Sequence, residues 1–409
     1  MNVEIITIGN EVITGHITDT NAAFLADTVF SLGVEITRVV SVGDTVEAIA
    51  GALREAMTRA DLILVTGGLG PTPDDRTPEA AALALGRELR VHEVYLATLK
   101  EKFKRWNLTF TRSDEKQALL PTGAEPLPNP VGLCGFKIEE GGKTIFFFPG
   151  VPRELKGLVG KSLLPFLKEK VAGKKEIVVS ARYKVFGLTE ARVKELVQGI
   201  EGDVELAYLP SFPEIHLRVI VRGVDKKEVA ARHKRYGEEI SNRLGTHLYG
   251  TDDQVMEGVV GGLLRERKAT LAVAESCTGG LIAHRITEIP GSSDYFLCGV
   301  VAYSNEAKEG LLGVPPALLE QYGPVSKEVA EQMVMGVRER SGATIGVATT
   351  GIAGPAGGTP EAPVGRVFIA LAADDILEVK QYDFFGDRHV IKIMASAVAL
   401  DRVRRYLLG

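Results

Sequence analysis

The sequence predicts an α/β protein of several domains, and three observations carry that prediction. Short apolar runs alternate with segments of helical periodicity along most of the chain. Polar, glycine-bearing loops follow several of those runs, where ligands sit in sheets with parallel strands. The length, 409 residues, exceeds what one core serves and points to two to four domains.

Taken in order, Val3 to Ile8 reads as a strand ending at Gly9-Asn10-Glu11. Asp19-Thr20 can cap a helix from Asn21 to Leu32, which stops at Gly33. Glu35 to Val42 is a second strand, and Gly43-Asp44 leads into a helix near Val46 to Thr58. Asp61 to Thr66 is almost continuously apolar, as expected of a strand covered on both faces. The loop that follows, from Gly67 to Pro78, is the first candidate site. Gly67, Gly68 and Gly70 offer backbone amides to phosphate, and Asp74 and Asp75 suit a divalent cation that neutralises phosphate charge. The same residues also suit a tight turn whose aspartates cap the next helix, with Pro78 in its first turn. Lys143 to Phe148 is another strand. Pro152 then starts a helix, and Arg153 is either a phosphate partner or a solvated first-turn residue.

From about Lys174 the order becomes strand (Ile177 to Val185), helix (Thr189 to Val197), two strands (Val204 to Leu209, Ile215 to Val221) and helix (Lys226 to Leu244). This is a small α+β unit. A connecting helix, Asp252 to Glu266, leads to a third region near Thr270, where strand and helix alternate again. Leu271 to Ala274, Leu297 to Tyr303, Thr344 to Thr350 and Val367 to Ala372 read as strands. Helices follow Gly280 and cover Ala307 to Leu312, Ser326 to Val337 and Arg388 to Leu407, and Gly354 to Pro363 is a flexible Pro/Gly-rich loop.

The composition, 45% hydrophobic and 25% charged, is that of a globular chain. A net charge of −5 and the lack of a basic stripe or base-stacking aromatic cluster argue against direct nucleic-acid binding and against anionic membranes. No apolar run spans a bilayer, and the N-terminus carries no signal-type segment. Cys134, Cys277 and Cys298 form no CxxC, so neither structural zinc nor a disulfide framework is signalled, and the expected compartment is the cytoplasm.

The second candidate site lies in the third region. Ser276 sits on a bend between a strand and a helix, followed by Thr278-Gly279-Gly280, where a helix start presents unsatisfied donors and positive dipole. It is a candidate nucleophile or simply a capping serine. Ser304 can cap a helix from Asn305 that carries Lys308 one turn in, and Gly351-Ile352-Ala353-Gly354 offers successive amides to a phosphate or oxyanion. Amide hydrolysis needs a nucleophile, a base and oxyanion donors. The nearest histidines in sequence are His284 and His389, away from these loops, so Lys308 with a lowered pKa is the candidate base, with a surface ammonium as its bland alternative. Tyr303 can relay a proton or hold the lysine. Cys277 is the rival nucleophile, because a thiol is intrinsically better.

Two resemblances sharpen this reading. Thr66 to Gly70 with Asp75-Arg76-Thr77-Pro78 resembles the signature of the molybdopterin-binding fold of MogA and MoeA proteins. That resemblance implies a three-layer α/β/α domain, a functional carboxylate at Asp75 and a second at Asp44. The middle unit is similar in order to a KH-like module but lacks a GxxG loop between two helices, so RNA binding does not follow. Ala274 to Gly280, Tyr303 to Lys308 and Gly351 to Pro355 resemble the three motifs of the PncC-type nicotinamide-nucleotide amidase, and the whole chain resembles the CinA (competence-damage-inducible) family.

The resemblance implies three domains: a molybdopterin-binding-like ADP-ribose pyrophosphatase (residues 1–170), a KH-like linker or dimerisation domain (174–250) and an amidase (252–409). It implies deamidation of nicotinamide mononucleotide to nicotinate mononucleotide and ammonia, with Ser276 as nucleophile, Lys308 as base and Tyr303 as their partner, and no cofactor. For the first domain it implies cleavage of ADP-ribose to AMP and ribose 5-phosphate, with Mg, Mn or Co held by Asp44, Asp74 and Asp75 and phosphate met by Gly67, Gly68, Gly70 and Arg153. A homodimer is expected. Thr278-Gly279-Gly280 and the Gly351 to Gly354 loop are expected to divide oxyanion and ribose-phosphate binding, in an order left open. The alternatives are a molybdopterin nucleotidyl-transfer enzyme and a non-enzymatic competence or recombination scaffold.

Overall fold

The computed structural model describes residues 1–129, 132–172, 177–200, 202–360 and 362–409. Lys174, where the middle unit was expected to begin, and Glu361 of the Pro/Gly-rich loop lie outside the described residues. By compactness the chain divides into Met1–Val179 with Arg222–Ala230, and Ser180–Val221 with Ala231–Gly409.

The first unit is built on a six-stranded sheet ordered Ile36–Val42, Val3–Ile8, Leu62–Thr66, Lys143–Phe148, Gly135–Glu140, Glu125–Leu127. The first four strands run parallel and the last two turn antiparallel. Side-chain alternation splits each central strand between two cores. Ile6, Ile8, Ile63 and Val65 pack with Ile49 and Leu53 of the helix Val46–Arg59. Val3, Ile5, Leu62 and Leu64 pack with Leu25, Val29, Leu155 and Leu158 on the opposite face. Burial on both faces explains the continuous apolar runs and makes the three-layer α/β/α domain.

The middle module is a four-stranded sheet, ordered Glu205–Ser211, Glu214–Gly223, Ile177–Val185, Leu248–Thr251, with the helices Glu190–Leu196 and Lys226–Leu244. Its last strand was not legible in the sequence, being four residues long. Phe186 and Tyr249 of this module belong to the same buried cluster as Met256, Val260 and Leu264 of the helix Met256–Arg267. The module is therefore welded to the C-terminal domain rather than strung beside it.

The C-terminal domain has a five-stranded sheet ordered Phe296–Val301, Leu271–Glu275, Ile345–Gly351, Arg366–Ala372, Leu377–Asp383. Its first three strands are parallel and its last two antiparallel. Leu271 and Val273 face the helices Met256–Arg267 and Arg388–Leu408, while Ala272 and Ala274 face Val329, Met333 and Val334 of the helix Lys327–Ser341. Small alanines on that face let the helix sit close. The strand Leu377–Asp383 escapes sequence reading because it is a charged edge, with Glu378, Lys380 and Asp383 breaking the apolar pattern. No helix among the described residues is long and apolar enough to cross a membrane.

Candidate active site

The strand Leu271–Glu275 is wholly buried and delivers Ser276 at its carboxyl end. Ser276 N–H donates to Thr349 O at 2.9 Å, and Thr278 Oγ1 lies 2.8 Å from Thr349 Oγ1, so the bend is pinned to the neighbouring strand. Gly279 and Gly280, at φ +61° and +90°, turn the chain into the helix Leu281–Thr287. The donors at that helix start are not open to a ligand. Glu275, fully buried, accepts from Ile282 N at 3.1 Å and Ala283 N at 2.8 Å, offsetting the dipole from inside the domain.

Lys308 comes from the next strand and helix. Ser304 caps the helix Asn305–Leu312 by accepting from Ala307 N, as its sequence position predicted. One turn in, Lys308 is only 1% exposed and directs its amine back into the domain. Its Nζ stands 3.2 Å from Ser276 Oγ, 3.1 Å from Ala302 O and 3.5 Å from Tyr303 O. Burial holds this amine below its ordinary pKa. The surface-ammonium alternative is thereby excluded. Cys277 touches the same cavity as Ser276 but is buried in the apolar cluster behind the strand, and burial pushes its thiol up to about 12, with the Glu275 carboxylate adding to the shift. A thiol kept protonated is a poor rival nucleophile.

Ser276, Lys308 and Tyr303 line one cavity of about 250 Å³, together with Gly351, Ile352, Ala353 and Gly354. The Gly351 to Gly354 loop lines this cavity, whereas Thr278, Gly279 and Gly280 are not among its lining residues and shape the bend. Tyr303 differs from expectation in its orientation. Its side chain is 58% exposed and its hydroxyl accepts from Arg388 Nη2 at 2.6 Å; its contact with Lys308 is through its carbonyl. Arg388, which the sequence reading missed, also donates from Nη1 to Gly354 O at 2.9 Å and so bridges the two loops across the cavity. It opens the final helix, far along the chain from both partners, and only the fold brings it there.

In the first unit, a cavity of about 380 Å³ lies beyond the carboxyl ends of Val3–Ile8, Leu62–Thr66 and Lys143–Phe148. Gly67, Gly68, Gly70, Asp44, Asp74 and Asp75 all line it, as do the unexpected Glu11 and Glu154. The loop needs its first glycines: a Cβ on Gly67 would meet Ile8 O at 2.2 Å, and one on Gly68 would meet Thr77 Oγ1 at 2.2 Å. Asp75 accepts from Thr72 N at 2.9 Å and from the Thr72 hydroxyl, which orders the loop. Asp44 accepts from Asn10 N at 2.9 Å. Burial nevertheless pushes the Asp44 carboxyl up, and repulsion from Glu11, Asp74 and Asp75 adds to the effect. Arg153 is exposed on the first turn of Pro152–Leu158 and is not a lining residue, so the solvated alternative holds for it.

Family models match three successive segments: a probable molybdopterin binding domain over residues 4–169, the damage-inducible protein CinA KH domain over 180–250, and the CinA C-terminal domain over 253–407. A CinA-like protein of Geotalea uraniireducens (strain Rf4) is 42% identical across 100% of this chain and 98% of its own. The chain belongs to the CinA family. Another CinA-like protein, from Citrifermentans bemidjiense, is 44% identical over 100% of this chain and 98% of its own. A putative competence-damage inducible protein of Thermoanaerobacter pseudethanolicus is 42% identical over 100% and 99%. The CinA C-terminal domain contains Ser276, Lys308, Tyr303 and Arg388, and the molybdopterin-binding-like domain contains the acidic cavity.

Proposed function

We propose that the C-terminal domain hydrolyses the carboxamide of nicotinamide mononucleotide, releasing nicotinate mononucleotide and ammonia. One observation carries this reading: the bonding of the Lys308 amine. A neutral amine has two N–H groups and one lone pair. As an ammonium, Lys308 Nζ donates to Ser276 Oγ, Ala302 O and Tyr303 O; once neutral it keeps the two carbonyls as acceptors of its N–H groups and turns its lone pair to the Ser276 hydroxyl 3.2 Å away. That is the arrangement of a base about to take a proton from a nucleophile.

The steps follow from these contacts. Ser276 Oγ attacks the carboxamide carbon as its proton passes to Lys308 Nζ. The two carbonyls then stabilise the ammonium, and amides of the Gly351 to Gly354 loop other than Ile352 N–H, which donates to Arg366 O, receive the oxyanion. Lys308 returns the proton to the departing nitrogen, the C–N bond breaks, and ammonia leaves an ester on Ser276. Water, deprotonated by the same amine, attacks the ester; the acid product departs and the proton goes back to Oγ. Arg388 is the one cation at the cavity rim among its described lining residues and suits the substrate phosphate. Arg388→Ala should raise KM for nicotinamide mononucleotide about 10- to 100-fold with a smaller change in kcat, measured by steady-state ammonia release. The reading itself is tested by incubating the full chain with nicotinamide mononucleotide: equimolar ammonia and nicotinate mononucleotide support it, and an unchanged substrate ends it.

For the first domain we infer cation-dependent cleavage of ADP-ribose to AMP and ribose 5-phosphate. The support is charge. Glu11, Asp44, Asp74, Asp75 and Glu154 line the cavity without a lysine or arginine among its described lining residues. A diphosphate is repelled from such a surface unless cations accompany it. The donors are all hard oxygens, which suits Mg or Mn. Among the described residues no group of three His, Cys, Asp or Glu side chains is placed to hold one ion. This fits an ion held by one or two carboxylates, Asp44 and Asp74 being our candidates, with water and substrate oxygens in the remaining positions. Bound there, the ion would neutralise phosphate charge.

A further inference from the structure

We infer that Tyr303 is the specificity residue of the amidase site, and that its ring face, not its hydroxyl, receives the positively charged pyridinium of the substrate. The inference rests on the amidase reading. The pyridinium of a nicotinamide nucleotide carries a formal positive charge, and a buried cation needs compensation. Among the described residues that line the Ser276 cavity none is an aspartate or glutamate, and Tyr303 is the aromatic one. The face of an aromatic ring carries the negative end of its quadrupole and attracts a cation within about 6 Å.

The orientation of Tyr303 fits that task and fits poorly with proton relay. Ala302 is buried and Tyr303 is 58% exposed, so alternation along the extended chain turns the ring away from the interior where the Lys308 amine lies. The Lys308 amine is satisfied by Ser276 Oγ and the two carbonyls, with no bond to the phenol. The phenol oxygen accepts from Arg388 Nη2, whose other nitrogen is bound to Gly354 O. The ring is therefore held by its hydroxyl end at the cavity rim with a face free of stacking among the described aromatic pairs. Arg388 and Tyr303 would thus read the two ends of the same zwitterionic substrate, phosphate and ring.

Two variants and two ligands test this with the full chain. Tyr303→Phe keeps the ring and removes the hydroxyl; Tyr303→Leu removes the ring. The ligands are nicotinamide mononucleotide as substrate and its reduced form, whose ring is uncharged, as competitive inhibitor. The expected result is that Tyr303→Phe keeps kcat within about threefold of the parent and keeps the parent's preference for the charged substrate over the reduced form, while loss of the Arg388 contact weakens both ligands alike. Relative to Tyr303→Phe, Tyr303→Leu should raise KM for the charged substrate roughly three- to thirtyfold while leaving the Ki of the reduced form nearly unchanged. Loss of kcat by about 100-fold in Tyr303→Phe at unchanged KM would assign the hydroxyl to proton transfer and overturn the inference. Equal further weakening of both ligands on going from Tyr303→Phe to Tyr303→Leu would overturn it too, by making the ring a mere apolar wall. Failure of the parent protein to deaminate the mononucleotide at all is a separate result, which removes the amidase reading itself.

Discussion

Lys308→Met should lower kcat for deamidation by about 10²- to 10⁴-fold while KM moves only a few-fold, because the amine acts on the nucleophile's proton and not on the nucleotide. The opposite pattern, a raised KM with kcat intact, would make Lys308 a phosphate ligand. The pH dependence follows from the same group. Burial lowers the folded pKa of Lys308 from its ordinary 10.5, and the active form is neutral. The rate therefore falls as pH drops through the lowered value and levels off above it. Stability has a matching sign. Between the lowered folded pKa and 10.5 the unfolded chain binds a proton that the native chain does not, so stability rises with pH across that window. Below the window the cost of the buried amine is present in full. Methionine, of similar length and without charge, removes that cost. The variant that destroys activity should accordingly melt higher, by about 2–4 °C for each kcal/mol regained in a domain of this size. Calorimetry of the two proteins at neutral pH checks it.

Chelation of divalent cations should abolish ADP-ribose cleavage, by more than about 100-fold, and leave ammonia release from nicotinamide mononucleotide unchanged. The reason is the contrast between the two cavities: one is lined by Glu11, Asp44, Asp74, Asp75 and Glu154, the other by a serine, a lysine and an arginine with no carboxylate among its described lining residues. Asp44→Asn should reproduce the effect of chelation on the first reaction alone. It removes a carboxylate that already carries the repulsion of its neighbours, so the folded domain should tolerate it. Asp75→Ala should also end diphosphate cleavage, through loss of the Thr72 anchor as well as of charge. AMP release that survives chelation would remove the cation from the account. Loss of both activities on chelation would instead show that the amidase reading omits a metal.

Much of this was legible in the chain. The strands Val3–Ile8, Leu62–Thr66 and Leu271–Glu275 declare themselves because burial on both faces leaves no room for polar positions. Ser276 and Lys308 could be singled out because a nucleophile on a bend and a lysine one turn into a capped helix are local patterns. Their meeting at 3.2 Å follows from the parallel pairing of the two strands that precede them. What stayed hidden depends on non-local geometry. The sequence leaves the donors of the helix Leu281–Thr287 open, and only the fold shows Glu275 folding back onto them. Periodicity marks Arg388 as a helix start and says nothing of Tyr303 or Gly354, which it joins. Arg153 carries the right charge in the right motif, yet points to solvent.

The most direct measurement is the site of the covalent intermediate. The full chain, quenched during a single turnover of nicotinamide mononucleotide and digested, should yield one peptide carrying the nicotinate mononucleotidyl acyl group, as an ester on Ser276. In Lys308→Met that adduct should fail to form. An acyl group found on Cys277, or ammonia released at the parent rate by Ser276→Ala, would contradict the account.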